Sequence, residues 1–260
     1  MPGHDSRINH ADVSPSPELS YIIGAVWGDG YTSLEKRNHT IGYYSIDEEL
    51  MIHFNNCVEK IVGRKYPISP QKRSWPRPKG IIETYSIFRI RFGSKNLYEM
   101  IRSFERSKEV IEVFPSAFIR GFSDAEGCVE QVSHPRIILV NKKQELLLYI
   151  KDLLIRFFNI DSKLYAKKRG IYALRILSKD NVLRFKEHIN FISKEKSAKL
   201  EVGWTTMWVE VKERKNFITE NYGQKSMDNL VEATGLSKTT IYTYISRWNL
   251  PKGGIFHPRS

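Results

Sequence analysis

Two carboxylates in this sequence stand at the C-terminal ends of apolar, helix-like runs. Asp29 ends the run YIIGAVWGD, and Glu126 ends the run FIRGFSDAE. The helix dipole disfavours a carboxylate at this end by roughly 0.3–1 kcal/mol, so the placement is costly unless a cation compensates it. A glycine follows each acid, and we expect Gly30 and Gly127 to take the left-handed conformation that often ends a helix.

Small residues recur four positions apart in both runs. They are Gly24 and Gly28 in the first run and Gly121 and Ala125 in the second. Because positions i and i+4 share one face of a helix, these residues form flat stripes on which two backbones can approach closely. We therefore expect the two helices to pack on each other and to bring the two acids together at one end.

Two converging carboxylates indicate a site for divalent cations. Mg²⁺ takes oxygen ligands, keeps several waters and commonly uses one or two carboxylates together with substrate phosphates. We predict that Asp29 and Glu126 bind about two or three Mg²⁺ ions, for which Mn²⁺ can substitute, and that the carbonyls of Gly28 and Ala125 complete the shell. Such ions activate a water molecule and stabilise the leaving oxygen in phosphodiester hydrolysis.

The charge of the chain indicates a polyanionic partner. Its net charge is +12 and its pI is near 9.5. Residues 64–91 hold eight basic residues and one acid, interleaved with aromatics, and residues 161–186 hold eight and two. This composition along extended segments is typical of a nucleic-acid surface. We predict that DNA is bound by Arg64, Lys72, Arg73, Arg77, Arg89, Lys163, Lys167, Lys168 and Arg169.

The elements that must position these residues occur twice in the same order. The first set is a helix from Pro17, strands 31–34 and 40–46, a helix 47–62, strands 66–74 and 82–92, and a helix 95–104. The second set is a helix from Pro115, strands 129–133 and 136–140, a helix 142–158, strands 163–168 and 171–177, and a helix 179–189. The repeat predicts an α+β fold of two pseudo-symmetric αββαββα units. Their antiparallel sheets would bury one face and offer the other to DNA.

The C-terminal segment has a different pattern. In DNLVEATGLSKTTIYTYISRWNLP, the apolar spacing around Gly235 predicts helix, turn and helix, as in a helix-turn-helix. We predict that Lys238, Thr239 and Arg247 contact DNA, with a plain two-helix packing element as the alternative. The expected organisation is a flexible tail at 1–14, units at 15–110 and 111–200, a linker at 201–225 and the helical module at 226–250.

The remaining composition narrows the cellular setting. Cys57 and Cys128 match no metal or redox spacing, so we expect a reducing compartment and two buried or idle thiols. We find no signal-peptide pattern and no apolar stretch near the ~20 residues that span a bilayer. We expect a location in the cytoplasm of a prokaryote or in an organellar matrix or stroma, without secretion and without a membrane partner.

The two acid-bearing motifs, IIGAVWGDG and IRGFSDAEG, resemble the paired motifs of LAGLIDADG homing endonucleases, and the likeness extends from Pro17 to Leu200. It implies a monomeric, single-chain enzyme with pseudo-twofold symmetry and no obligate protein partner. Such an enzyme lays two saddle-shaped sheets in the major groove of double-stranded DNA and cuts both strands across the minor groove, leaving short 3′ overhangs. Asp29 and Glu126 match the family's metal-binding acids. Trp27 stands where the name-giving motif has its first Asp, a position that carries no metal.

The resemblance also implies basic or polar residues around the attacking water. Arg91 and Arg175, at equivalent strand ends, and Lys142, after the second hairpin, are the candidates, with ordinary phosphate contacts as the alternative for each. Ile46 and Asp47 stand near the counterpart of Lys142, so we expect an asymmetric site.

Two other functions fit the same architecture. Some transcription regulators join a LAGLIDADG-like core to a C-terminal helix-turn-helix, and such proteins have generally lost the catalytic acids. An RNA maturase that assists intron splicing could use the same fold. The presence of both acids favours a nuclease over a regulator, and the sequence leaves the maturase open.

Overall fold

The computed structural model describes residues 11–76, 82–131 and 135–247. Side chains are described throughout these ranges except at positions 73, 75–76, 82–83, 85, 202–212 and 247. The chain divides into a larger unit, Met1–Glu201, and a smaller unit, Val202–Ser260.

The larger unit repeats one order of elements. The first copy comprises α1 (Pro17–Asp29), β1 (Tyr31–Glu35), β2 (Asn38–Ser45), α2 (Glu48–Val62), β3 (Ser69–Pro76), β4 (Ile82–Gly93), α3 (Lys95–Arg102) and α4 (Phe104–Val113). The second copy comprises α5 (Pro115–Glu126), β5 (Gly127–Gln131), β6 (Pro135–Asn141), α6 (Gln144–Phe158), β7 (Lys163–Ala166), β8 (Tyr172–Ile176) and α7 (Lys179–His188), followed by α8 (Lys194–Asn221). The prediction of two αββαββα units is confirmed, and α4 is an additional helix.

Each copy contains a four-stranded antiparallel sheet with the same strand order, β1-β2-β4-β3 in the first and β5-β6-β8-β7 in the second. Side chains alternate between the two faces of a strand. Ile41 and Tyr43 in β2, and Ile137 and Leu139 in β6, point into the core and are buried. The amphipathic helices α2 and α6 pack on these buried faces. The opposite face of each sheet is called its open face below.

The two copies meet through α1 and α5, which pack backbone to backbone. A Cβ atom at Gly24 would lie 2.1 Å from the carbonyl oxygen of Phe118, and one at Gly121 would lie 2.3 Å from that of Tyr21. Any side chain at these positions would therefore force the helices apart. The small-residue stripes have the packing role that the sequence predicts.

The glycines that follow the acids have a different role from the expected one. Gly30 has φ −88° and Gly127 has φ −89°, so both are extended and the prediction of a left-handed conformation is wrong. Space is the constraint instead. A Cβ atom would lie 2.5 Å from Val26 Cα at Gly30 and 2.3 Å from the Ser123 carbonyl oxygen at Gly127. Because glycine has no Cβ atom, the chain at each position can pass closely against the last turn of the preceding helix as the strand begins.

Three predicted segments differ from the structure by more than a shift of a few residues at their ends. The helix predicted at 95–104 ends at Arg102, because Ser103 is extended and caps a new helix through the backbone N–H of Arg106. Most of the predicted linker at 201–225 is helical, since α8 continues to Asn221. Tail residues 11–14 pack on the first copy: the Asp12 N–H donates to the Ile61 carbonyl at 2.7 Å, and Ala11 is buried. The rest of the predicted tail, residues 1–10, lies outside the described ranges.

The smaller unit contains the end of α8, α9 (Met227–Thr234) and α10 (Lys238–Arg247). These helices surround a small core of Ile218, Leu230, Ile241 and Ile245. Ser226 caps α9, and Gly235 ends it in the left-handed conformation with φ +65°. Within the described ranges, no helix has both the length and the hydropathy that crossing a bilayer requires.

Candidate active site

The acid pair, Asp29 and Glu126, lies at the joined C-terminal ends of α1 and α5. Each acid is the last residue of its helix. The Glu126 side chain lies against the end of α1, because a Cβ atom at Gly28 would stand 3.1 Å from Glu126 Cγ. Asp29 reaches solvent and Glu126 is half-buried. Packing on small residues thus brings both carboxylates into one site.

Both carboxylates hold their protons more strongly than free side chains do. Desolvation by the surrounding protein raises the pKa of Glu126 to about 7, and the negative charge of Asp29 adds to that shift. Desolvation also raises the pKa of Asp29, whereas the charge of Lys196 opposes the shift. A bound cation would offset the repulsion and lower both pKa values, so the arrangement suits cation binding.

The donor set fits a hard divalent cation that keeps part of its water shell. No group of three or more His, Cys, Asp or Glu side chains within the described residues could hold a metal ion. The protein therefore offers two carboxylates, with the nearby carbonyls of Gly28 and Ala125, because carbonyls in the last turn of a helix have no partner within it. Mg²⁺ commonly binds through one or two carboxylates and takes its remaining ligands from water and phosphate.

Lys196, in the first turn of α8, lies beside the acid pair and was not predicted. Its Nζ donates to the Ser123 carbonyl at 3.3 Å and to the Asp124 carbonyl at the end of α5. Desolvation lowers the pKa of Lys196, while the charges of Asp124 and Asp29 oppose that shift. The sequence holds a signal that could have found it, because SKEKS at 193–197 echoes SFERS at 103–107 in the first copy.

Asn141, the last residue of β6, also contacts the acid pair and was missed. Its Nδ2 donates to Glu126 Oε1 at 3.2 Å, and its Oδ1 accepts from the Lys143 N–H at 2.9 Å. The strand register makes Ser45 its counterpart in the first copy. The Ser45 hydroxyl accepts from the Asp47 N–H at 3.0 Å and so repeats the second of these bonds. The expected asymmetry of the site therefore includes this position.

Arg91 and Arg175 occupy equivalent positions, as the sequence analysis expects. Arg91 pairs with Gly42, which pairs with Tyr31, and Arg175 pairs with Ile138, which pairs with Cys128. Tyr31 and Cys128 each stand two residues after an acid. Both arginines therefore lie on the open faces, each in the row of residues that begins two positions after an acid.

The surroundings of the two arginines differ. Arg91 is exposed, and its charge opposes the rise in the pKa of Tyr31, whose ring lies over Gly42. Arg175 is half-buried, and its guanidinium lies 5.3 Å from the centre of the Tyr165 ring. Its Nε is buried without a hydrogen-bond partner. The two arginines thus occupy equivalent backbone positions but differ in exposure and in neighbouring side chains.

A cleft of about 1080 Å³ opens beside Glu126, between α3 and α4 of the first copy and the start of α6. Lys142, one of the predicted catalytic candidates, lines it together with Lys143 and Arg102. The opposite wall carries Trp27, whose ring stacks on Phe104 with centroids 5.9 Å apart. The structure places Lys142 at the rim of the site.

Five of the predicted DNA-binding residues lie on an open face or in the turn between β7 and β8. Arg89 pairs with Tyr44 and with Ser69 on the open face of the first sheet. Lys163 pairs with Arg175 on that of the second sheet, so like charges face each other across two strands. Such a pair is unfavourable in isolation and suits a phosphate backbone. The turn between β7 and β8 carries Lys167, Lys168 and Arg169.

Four of the predicted residues differ from these. Lys72 pairs with Ser86 and shares the face of buried Ile90, not that of Arg89, because neighbouring residues of a strand point to opposite sides. Lys72 therefore does not share the open face with Arg89, and its contact with DNA stays a prediction. Arg64 precedes β3 and lies 4.6 Å from the centre of the Tyr66 ring. Arg77 and the Arg73 side chain lie outside the described part of the chain.

In the smaller unit, α10 presents a polar stripe. Thr239, Tyr242, Thr243 and Ser246 line one shallow concavity. Lys238 forms a 2.5 Å ion pair with Asp228, although both side chains are exposed. The structure does not describe the side chain of Arg247.

Comparisons with known proteins identify relatives of the chain. A LAGLIDADG-like domain matches residues 114–190, which span the second copy from α5 to α7. The uncharacterized protein MJ0398 of Methanocaldococcus jannaschii is 31% identical over 215 residues, which cover 75% of this chain and 74% of that protein.

Solved structures share the fold. The homing endonuclease I-WcaI bound to its DNA recognition sequence superposes with a TM-score of 0.56 at 14% identity, over 73% of this chain and 87% of that one. The homing endonuclease I-DmoI in complex with DNA and Ca gives 0.50 at 20% identity, over 72% and 97%. Full-length DUF199/WhiA from Thermatoga maritima gives 0.50 at 18% identity, over 93% of each chain. At these identities the likeness concerns the fold.

Proposed function

This chain belongs to the family of MJ0398 and carries a LAGLIDADG-like domain, and from that premise we propose that it is a metal-dependent DNA endonuclease that cuts both strands of a long target site. The acid pair carries this proposal. Asp29 and Glu126 end two helices that pack tightly, desolvation raises the pKa of both, and the charge of Asp29 adds to the shift at Glu126. A protein that bound DNA without cutting it would have no use for that cost.

The residues around the acid pair have separate roles in the proposed reaction. Asp29 and Glu126 would hold Mg²⁺, which when bound supplies an activated water and stabilises the leaving oxygen. Asn141 fixes the Glu126 carboxylate by its 3.2 Å hydrogen bond. Lys196 holds its amine beside the acids, and the charged form of this amine can stabilise negative charge that develops on the phosphate.

Arg91 and Arg175 extend this positive surface outward along the open faces. Each lies two strands across the sheet from the residue that stands two positions after an acid, where the phosphates that flank the scissile bonds would pass. Lys142 and Lys143 add charge at the rim of the cleft. We assign to these residues the binding and positioning of the DNA backbone, which does not depend on base sequence.

Double-stranded DNA is the proposed partner. I-WcaI and I-DmoI, which share the fold, are seen with DNA, and I-DmoI also with a divalent ion. Two antiparallel sheets with basic open faces can lie in successive turns of the major groove, because a β-ribbon fits its width. The net charge of +12 supports binding that depends strongly on salt.

The experiment first selects a DNA target and then tests whether the protein cuts it. Duplexes that bind the full-length protein in EDTA are selected from a randomised library, and the enriched duplex is then incubated with Mg²⁺. We expect double-strand cleavage that EDTA prevents, with Glu126→Gln as the matched control that binds the same duplex. Wild-type protein that binds this duplex in Mg²⁺ and leaves both strands intact would refute the nuclease.

A DNA-binding regulator is the second candidate. The smaller unit favours it, because α9 and α10 have their own core and a helix-turn-helix arrangement around Gly235. The fold likeness to DUF199/WhiA, which extends over 93% of each chain, also supports it. Binding without cleavage in the same experiment would identify a regulator, and preference for a structured RNA competitor would identify a maturase.

A further inference from the structure

Asp124 is a buried carboxylate that the proposed chemistry does not use. It lies two residues before Glu126, yet its side chain is only 2% exposed and points away from the acid pair. Its Oδ1 accepts from the backbone N–H groups of Ile192 at 3.0 Å and Ser193 at 3.3 Å. Its Oδ2 accepts from the hydroxyl of Tyr21 at 3.2 Å. Both oxygens are thus committed to the protein, and neither is left for a metal ion.

The segment that Asp124 holds is the start of α8. Ser193 directly precedes this helix, and Lys196 lies in its first turn. The Nζ of Lys196 returns to the end of α5 and donates to the carbonyl of Asp124 itself. The side chain of Asp124 therefore binds the residues at the start of α8. The backbone carbonyl of Asp124 accepts a hydrogen bond from Lys196 in the first turn of the same helix.

The first copy has no aspartate at the position of Asp124, so the two copies can be compared with and without it. Trp27 occupies the position of Asp124 in the motif, and its indole N–H donates to the Ile101 carbonyl at 2.9 Å. Helix α4 then begins after Ser103, and Arg106 takes the place of Lys196. Arg106 is exposed, and the cleft beside Glu126 stays open on that side. Of these two equivalent basic residues, Lys196 is the one whose side chain donates to the end of α5, and it belongs to the copy that has the aspartate.

We propose that Asp124 is a positioning residue, whose carboxylate holds the start of α8 so that Lys196 stays beside the acid pair. The proposal rests on the proposed function for the role of Lys196 in cleavage, but the geometry that it describes can be tested alone. A carboxylate that accepts two backbone N–H bonds fixes the direction of a helix more firmly than packing does, because each bond is charge-assisted.

The experiment uses Asp124→Ala, Asp124→Asn and Lys196→Met in the full-length protein. The first readout needs no activity: amide hydrogen exchange at Ile192 and Ser193, and acetylation of the Lys196 amine by acetic anhydride. Asp124→Ala should raise both rates by about tenfold or more, because the N–H groups of Ile192 and Ser193 lose their acceptor and the start of α8 opens more often. Asp124→Asn should keep wild-type rates, because the amide oxygen can accept the same two bonds.

The second readout is single-turnover cleavage of the selected duplex at saturating protein. Asp124→Ala should cut as slowly as Lys196→Met, roughly 10²-fold below wild type, while Asp124→Asn stays within about threefold of wild type. The double variant should be no slower than Lys196→Met alone, because two residues that act as one unit are not additive. A general loss of packing would instead multiply the two defects.

Several results would overturn the proposal. They are unchanged exchange and acetylation in Asp124→Ala, multiplicative rates in the double variant, or an Asp124→Asn variant as slow as Asp124→Ala with its amides still protected. If Asp124→Ala does not fold, Asp124→Ser replaces it, since a hydroxyl keeps the site polar and is too short to reach both amides. If wild-type protein cuts no DNA, the proposed function fails, and exchange and acetylation still decide whether Asp124 holds Lys196.

Discussion

The two copies of the αββαββα unit share their topology but differ beside the acid pair. In the second copy, Lys196 and Asn141 approach the acids, with Nζ on the end of α5 and Nδ2 on Glu126. The equivalent positions in the first copy are Arg106, which is exposed, and Ser45, whose hydroxyl accepts from a neighbouring backbone N–H. The shared backbone therefore does not impose shared chemistry. Symmetry is kept where helices must pack, and it is lost in the side chains beside the acid pair.

The open faces differ in length, and here the first copy has the larger one. Strands β3 and β4 of the first copy have 8 and 12 residues, whereas β7 and β8 of the second have 4 and 5. At about 3.3 Å per residue, the longest strand reaches roughly 40 Å in the first copy. The first copy thus has the longer open face for the proposed DNA partner, and the second copy supplies more of the side chains at the acid pair.

The largest expected effect tests whether both copies are needed for cleavage. Asp29→Asn and Glu126→Gln should each lower the single-turnover rate by roughly 10³-fold, because each removes a charged metal ligand that is worth several kcal/mol in the transition state. Gel shifts on the same duplex should show affinity at or above that of wild type. Rapid cutting by either variant would show that the site needs only one copy.

The next effect sharpens the comparison between equivalent basic residues. Lys196→Met should slow cleavage by roughly 10²-fold, whereas Arg106→Met should remain within about threefold of wild type. Each strand of the duplex is labelled separately, so that nicking of one strand is distinguished from cutting of both. Equal losses in the two variants would mean that Arg106 also approaches the acids once DNA is bound.

A smaller effect concerns the open faces. Arg89→Ala and Lys163→Ala should each weaken binding and reduce the slope of log affinity against log salt by about 0.9, the contribution of one phosphate contact. Lys72→Ala is the matched control on the opposite face and should leave that slope unchanged. A slope that falls equally for Lys72→Ala would show that the DNA also contacts the other side of the first sheet.

The smallest effect is on stability. The pKa of Glu126 is raised to about 7 from an ordinary 4.5, so the folded protein binds more protons than the unfolded chain between these values. Its stability therefore falls as pH rises through this window. Glu126→Gln cannot titrate and should be more stable than wild type by about 1 kcal/mol at pH 8, after allowance for solvent screening. Denaturant unfolding in EDTA should show this difference disappearing below pH 4.5. A constant difference across pH would exclude the carboxylate as its source.

The sequence by itself determined the repeat, the packing of α1 on α5 and the identity of the acid pair. These features depend on local patterns: apolar period, turn residues and small residues at spacing i, i+4, which act within one element. The equivalence of Arg91 and Arg175 followed from the same repeat. The smaller unit was also indicated by local spacing around Gly235.

Only the tertiary structure decided which further side chains meet the acids. Lys196 lies in a helix that starts after the second copy ends, and it reaches α5 through a segment held by Asp124. The reason for glycine at position 30 was likewise hidden, because it is the closeness of Val26 and not a left-handed turn. Contacts between residues distant in sequence depend on how whole elements pack, and no local period records that packing. The sequence thus named the acids, and the fold selected their neighbours.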